Sequence, residues 1–285
     1  MGAQENTKNP RTAVKTTYGS WKHPIKVRLT AREACSIESA CRHNRNHTVH
    51  LLSTGNISSR GCPYHRLVSQ LPNFQSSVLN ASAELAGTPL APLHAEGGAL
   101  HRSPYVAVHL SDFLRYVVLW NRGGVYLDTD VIVMKSLKGF SNGAFYQSRN
   151  DSDSVANGIL FFDKQSTVLE ALIAKCARVY SPWRWTSCGL ALISALAFDS
   201  AYSRRLNLFN ESVFFAVPHR KWETLFEPES APEVLRAING SYGVHFWNDL
   251  SKHRRVVTGS GSAMDVLART HCPFVYKLAS LEGHF

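Results

Sequence analysis

The chain has 285 residues, 44% hydrophobic and 18% charged, which fits one large α/β domain or two small ones with ample core material. Its formal net charge of +10 favours anionic partners such as nucleotides, but the densest basic run, Lys252-His253-Arg254-Arg255, is too short for a nucleic-acid arm. The six cysteines include no C-x-x-C pair, so zinc ribbons and thioredoxin-like redox motifs are unsupported while disulfides are permitted.

Residues 1–29 carry no sustained periodic apolar face and read as an atypical, disordered leader. Within them Ile25, Val27 and Leu29 alternate with Lys26 and Arg28, which fits one short strand. Residues 1–24 have no apolar signal core, and the longest apolar run, Leu190 to Phe198, is too short to cross a bilayer. Asn-x-Ser/Thr sequons at Asn46, Asn56, Asn80, Asn150, Asn210 and Asn239 nonetheless favour a glycosylated, lumenal or secreted protein. A lumenal domain that has lost its start accommodates both observations.

Thr30 is placed to N-cap the segment AREACSIESACRHN, with Glu33 completing a capping box. Ala34, Ile37 and Cys41 then form an inward stripe at i, i+3, i+7. VHLLS reads as a buried strand and PYHRLVSQLPN as a short helix stopped by Pro72. SPYVAVHLSDFLRYVVLWNRGG is a long helix closed by Gly123-Gly124. The strands VYLD, VIVMKSL, AFYQSR and ANGILFFD follow, then the helices STVLEALIAKCARVY and LALISALAF. VFFAVP and YGVHFWN read as strands, and SAMDVLARTHC as a helix. This alternation implies an α/β fold with a mixed, mainly parallel sheet and helices on both faces. One domain spans residues 30–277, followed by a tail, 278–285.

Between Val106 and Trp120 the long helix is nearly all apolar except for His109, Ser111, Asp112 and Arg115. Asp112 and Arg115 lie i, i+3 on one face. On a surface they would form an ordinary ion pair. On a helix this apolar they are buried, and a buried charged pair needs a purpose. Downstream, Val125 and Leu127 alternate with Tyr126 and Asp128, so Tyr126, Asp128 and Asp130 are expected on one face of a strand end. Two crowded carboxylates call for a cation between them, and D-x-D suits Mn²⁺ or Mg²⁺ with phosphate oxygens completing the shell. The haloacid-dehalogenase-like phosphatases also use D-x-D, but near the start of their domain and with a later acidic pair, which this chain lacks.

The pattern Ser111-Asp112, Arg115, Leu119, Gly123-Gly124, Tyr126, Asp128 and Asp130 resembles the sugar-binding region of D-x-D glycosyltransferases. More narrowly, it is similar to the α-1,4-galactosyltransferase and α-1,4-N-acetylglucosaminyltransferase family, which includes globotriaosylceramide synthase. LTAREACSIESACRHN, GTPL at 87–90 and SYGVHFWNDLSK carry the same likeness from about residue 29 to 277.

The resemblance implies a GT-A fold and a retaining hexosyltransferase. It would move galactose, or an N-acetylated analogue, from a UDP-sugar to a glycolipid or glycan in α-1,4 linkage. Asp112 and Arg115 would hold donor-sugar hydroxyls, Asp128 the ribose and metal shell, and Asp130 the Mn²⁺ (or Mg²⁺). His245 is the third metal-ligand candidate, with Tyr126 and Trp247 on the nucleotide side. Asn157, Trp185 and Gly189 would line the acceptor side. The family also implies a Golgi location and a membrane anchor, which this chain does not show; nucleic acid is not expected as a partner.

Two departures stand out. The family's opening apolar strand has no counterpart in HPIKVRL, so the first strand of the sheet is expected to be missing. In the loop WRWTSCGLALI, Ser187, Cys188 and Leu190 replace residues that are polar, polar and proline in the family. Both departures admit an alternative, a catalytically weak member acting as a binding or partner subunit.

Overall fold

The computed structural model describes residues 13–17 (as backbone), 28–57, 60–149 and 153–285. A seven-stranded sheet runs in the order β3-β2-β1-β4-β7-β6-β8. Its strands are β1 Ala13–Thr17, β2 Val49–Ser53, β3 Phe74–Val78, β4 Gly124–Asp128, β6 Gly143–Ser148, β7 Ser154–Phe162 and β8 Asn207–Phe209. A second sheet pairs β5 Val131–Val133 with β9 Gly243–His245, antiparallel. In the large sheet β1 lies parallel to both β2 and β4, β3 parallel to β2, and β8 parallel to β6, while β7 runs antiparallel to β4 and β6.

Helices cover both faces because successive side chains of β4 point opposite ways. Val125 and Leu127 join the apolar layer built on the helix Ala31–His43, β5 and the C-terminal helices. Tyr126 joins the other, built on the helices Val106–Arg122, Thr167–Val179 and Leu190–Ala197. The long helix ends at Gly123, whose φ of 68° is left-handed. A Cβ there would sit 2.7 Å from the Lys164 backbone nitrogen, so only glycine makes this helix-to-strand turn.

The helix Ala31–His43 begins with the expected Thr30–Glu33 capping box. Further along it is polar on the side facing β5. The Ser36 hydroxyl bonds the Val131 carbonyl, and the Val131 and Val133 amides donate to Ser36 Oγ at 3.2 Å and Ser39 Oγ at 3.0 Å. These bonds satisfy the edge of a strand that has only one strand partner. Glu38, 1% exposed, accepts from the amides of Phe274 (3.1 Å) and Val275 (2.8 Å) at the start of the helix Pro273–Ser280. The disulfide Cys35–Cys272 fastens the same two helices, and a second disulfide joins Cys176 to Cys188.

Four expectations need correction. The central place between β2 and β4 is filled, not missing, and residues of the supposed disordered leader, Ala13–Thr17, fill it. AVKTT has little apolar character of its own; pairing on both edges makes it a strand. Ile25 and Val27 lie outside the described residues, and Leu29 is not in a strand. VFFAVP is not a strand either: Glu211–Val213 is a 3₁₀ turn, and the backbone of the segment meets the β9 region through the isolated bonds Tyr242 N–H to Val213 O and His245 N–H to Phe214 O. The stretch 278–285 is no loose tail, since Phe285 is buried and exchanges backbone bonds with Val256. Among the described residues no helix is long and apolar enough to cross a membrane.

Candidate active site

The long helix brings Asp112 and Arg115 beneath the end of β4, where they are 3% and 5% exposed. Arg115 is the hub. Its Nη1 donates to the Asn157 carbonyl at 2.7 Å and to Asp128 Oδ2 at 3.3 Å. Its Nη2 donates to Ser111 Oγ at 2.6 Å and lies 3.3 Å from Asp112 Oδ1, and its Nε donates to the Ser111 carbonyl. The guanidinium also sits 4.7 Å from the Tyr126 ring centre. A planar fork serves such a set of acceptors and an aromatic face together; an ammonium does not.

The carboxylates are positioned by this frame. Tyr126 donates to Asp128 Oδ1 at 2.6 Å, as their shared strand face requires. The Asn157 side chain, on β7, donates to Asp112 Oδ1 at 2.8 Å. Two glycines back the pair. A Cβ on Gly158 would lie 2.6 Å from Asp128 Oδ2, and one on Gly189 would lie 2.9 Å from Asp112 Oδ2 and 3.1 Å from Asn157 Nδ2. Burial pushes the Asp112 carboxyl up to about 6 against the pull of Arg115.

Asp130 does not share the face of Asp128. Strand β4 stops at Asp128, and Asp130 turns into the small sheet, where the β5–β9 register sets Val131 opposite His245. There Asp130 Oδ2 lies 3.3 Å from His245 Nε2 and accepts the Asn248 amide at 3.0 Å. Burial disfavours charge on both side chains. Their mutual attraction outweighs it, so Asp130 titrates below the usual carboxylate range and His245 above the usual imidazole range. Each aspartate has its own basic neighbour, Arg115 for Asp128 and His245 for Asp130.

Trp247 lies behind His245, not on the strand face as i, i+2. It has φ 54° and ψ 53°, a left-handed conformation rare for a bulky residue. Its ring centre is 4.4 Å from that of His245, and its indole N–H donates to the Val217 carbonyl at 2.9 Å. Trp185, 45% exposed, packs edge-on against Tyr105, about two helical turns before Asp112. Asn157 and Gly189, expected on the acceptor side, are found against Asp112 itself.

Reasoning from sequence missed Ser111 as an anchor, Tyr116 and His109. The Tyr116 hydroxyl donates to the Cys188 carbonyl at 2.9 Å. His109 Nε2 lies 3.0 Å from the Arg184 carbonyl. His109, Asp112 and Tyr116 recur at i, i+3, i+7, so one stripe of the long helix faces the loop before Gly189; that spacing was the available signal.

Two sequence families cover most of the chain. Residues 30–151 match the glycosyltransferase sugar-binding region containing the DXD motif, and residues 161–279 match the alpha 1,4-glycosyltransferase conserved region. The lactosylceramide 4-alpha-galactosyltransferase of Rattus norvegicus is 30% identical over 262 residues, 87% of this chain and 71% of that protein. The alpha-1,4-N-acetylglucosaminyltransferase of Homo sapiens is 25% identical over 262 residues, 86% of this chain and 75% of that protein. The crystal structure of the glycosyltransferase GlyE of Streptococcus pneumoniae superposes with a TM-score of 0.50 at 12% identity, covering 97% of this chain and 64% of that one.

Fold and site together define a GT-A glycosyltransferase. Within that class the chain belongs to the α-1,4-glycosyltransferase family and is a hexosyltransferase.

Proposed function

We propose that this enzyme moves galactose, or an N-acetylated hexose, from a UDP-sugar to a glycolipid or glycan acceptor, with retention and in α-1,4 linkage, in the Golgi lumen. The observation that carries this reading is the meeting of the Asp112–Arg115–Asp128 cluster, its first two members buried, with the Asp130–His245 pair across one intervening residue. Asp112 accepts from donor-sugar hydroxyls, using the oxygen that faces the open side of Gly189. Arg115 supplies the counter-charge of Asp112 and Asp128 and aims them. Asp128 takes ribose hydroxyls with the oxygen not held by Tyr126.

The donor set also fits Mn²⁺ or Mg²⁺. Carboxylate and imidazole lie together, and His245 Nδ1 is buried without a hydrogen-bond partner among the described residues, so the ring, packed against Phe215 and Trp247, is not tied into the Asp130 contact by a second hydrogen bond. Among the described residues no three His, Cys, Asp or Glu side chains form a ready-made cage, consistent with an ion that draws phosphate oxygens from its substrate. Asp130 and His245 would hold it, with Asp128 at its edge, and when bound it neutralises the charge that develops on the departing UDP.

The test is calorimetric UDP binding with and without Mn²⁺, on the chain and on Asp130→Asn. The expected result is metal-dependent binding that the substitution abolishes, together with loss of transfer from UDP-galactose in Asp112→Asn while UDP still binds. Equal, metal-independent UDP binding by both proteins would overturn the assignment. The partner-subunit alternative loses one of its supports, because β1 occupies the strand position that was expected to be empty.

A further inference from the structure

We infer that the loop closed by the Cys176–Cys188 disulfide is a membrane-docking element that seats the Asp112–Gly189 side of the site on an anionic lipid surface. The loop exposes large apolar groups: Trp183 is 69% exposed, Val179 48% and Trp185 45%. Arg178 and Arg184 are exposed among them. No acidic residue occurs between Glu170 and Asp199, whereas Lys175, Arg178 and Arg184 do. Indole rings with one apolar and one polar edge favour the headgroup region of a bilayer, and flanking arginines are drawn to anionic lipid. A protein partner would demand neither this excess of positive charge nor its interleaving with tryptophan.

The loop is rigid where a docking element must be. His109, fully buried, places Nε2 3.0 Å from the Arg184 carbonyl and 3.2 Å from the Trp185 carbonyl. That ring nitrogen therefore carries the proton, and Nδ1 accepts from Tyr180 OH (2.9 Å) and Ser103 Oγ (3.1 Å). Ser181 N–H donates to Ser187 Oγ at 2.7 Å, and the disulfide closes the base. The exposed rings are thus presented without a large ordering cost on binding. The loop runs directly into Gly189, which touches Asp112 and Asn157, so contact with a surface also orients the sugar pocket towards it. That consequence rests on the glycolipid reading of the acceptor; the docking itself does not.

The experiment is co-sedimentation of the full chain with phosphatidylcholine vesicles, with and without about a quarter of an anionic sulfated glycolipid. The same is done for a Trp183→Ser/Arg178→Glu/Arg184→Glu variant whose circular dichroism and thermal unfolding match the unmodified chain. The expected result is binding that requires the anionic lipid, weakens with salt and falls at least about tenfold in the variant. Failure of the unmodified chain to sediment, or sedimentation of the variant to the same extent, would overturn the inference. So would a parallel loss of transfer to a water-soluble acceptor, because Trp183 would then be stacking on the sugar. Vesicle binding needs neither UDP nor metal, so its outcome is separable from that of the transferase assignment.

Discussion

Nη1 of Arg115 lies 3.3 Å from Oδ2 of Asp128, tying the middle of the long helix to the end of β4. The same guanidinium holds Ser111, Asp112 and the Asn157 carbonyl, so one side chain organises three elements.

Arg115→Met should destabilise the fold by about 3 kcal/mol, because the buried Asp112 and the half-buried Asp128 lose their counter-charge. Arg115→Lys keeps the charge but not the fork, and should lower kcat/KM for UDP-galactose by about a hundredfold or more with a smaller loss of stability. Steady-state kinetics and urea unfolding on both variants check this; wild-type kcat/KM in the lysine variant would show that the fork does not matter.

Gly158→Ala and Gly189→Ala test the backing of the carboxylates. Each new methyl would fall within 3 Å of a carboxylate oxygen, at 2.6 Å for Asp128 and 2.9 Å for Asp112, so the carboxylate must move. Activity should fall about a hundredfold in each, against a stability loss of about 1–3 kcal/mol. Gly240, which has nothing within 4 Å of a built Cβ, is the control, and its alanine variant should keep full activity.

Stability should depend on pH through Asp112. Its carboxyl is raised from 3.8 to about 6 in the fold, so the folded state holds the proton more tightly than the unfolded chain. The associated stability is present below about pH 4 and is lost as pH rises through 6, about 3 kcal/mol in all. Urea midpoints measured from pH 4 to pH 7 should carry this slope, and Asp112→Asn should flatten it while abolishing transfer. An unchanged slope in Asp112→Asn would assign it to another group.

Asn46, Asn56, Asn80, Asn210 and Asn239 are all exposed; Asn150 lies outside the described residues. Made in a secretory host, the protein should therefore carry N-glycans at several of these sites, and glycosidase treatment should shift its mobility. The disulfides Cys35–Cys272 and Cys176–Cys188 call for the same oxidising compartment. A single unshifted band would argue against lumenal synthesis.

Much of this was legible in the residues. The Thr30–Glu33 box, the long helix with its glycine stop, and the two-residue alternation of β4 are local signals, and the structure contains each. Asp112, Arg115 and Asp128 could be grouped because helix and strand are joined through Gly123 alone. What resisted reading was non-local. β1 owes its form to strands far along the chain, and β8 is only Asn207–Phe209, too short for a period to show. Asp130 was assigned to the wrong face because nothing local reveals that the chain changes sheets after Asp128. The roles of Gly158 and Gly189 depend on which oxygen sits opposite, a matter of tertiary approach that composition does not encode.

Asp128 closes a strand of the large sheet, whereas Asp130 immediately precedes a strand of the small one. Thr129 is therefore the joint between two separately anchored bodies, one braced by Arg115, the other by Ser36, Ser39 and His245. Any sliding of one body against the other must be absorbed at this peptide. The spacing of the carboxylates would register that displacement before any other dimension of the pocket.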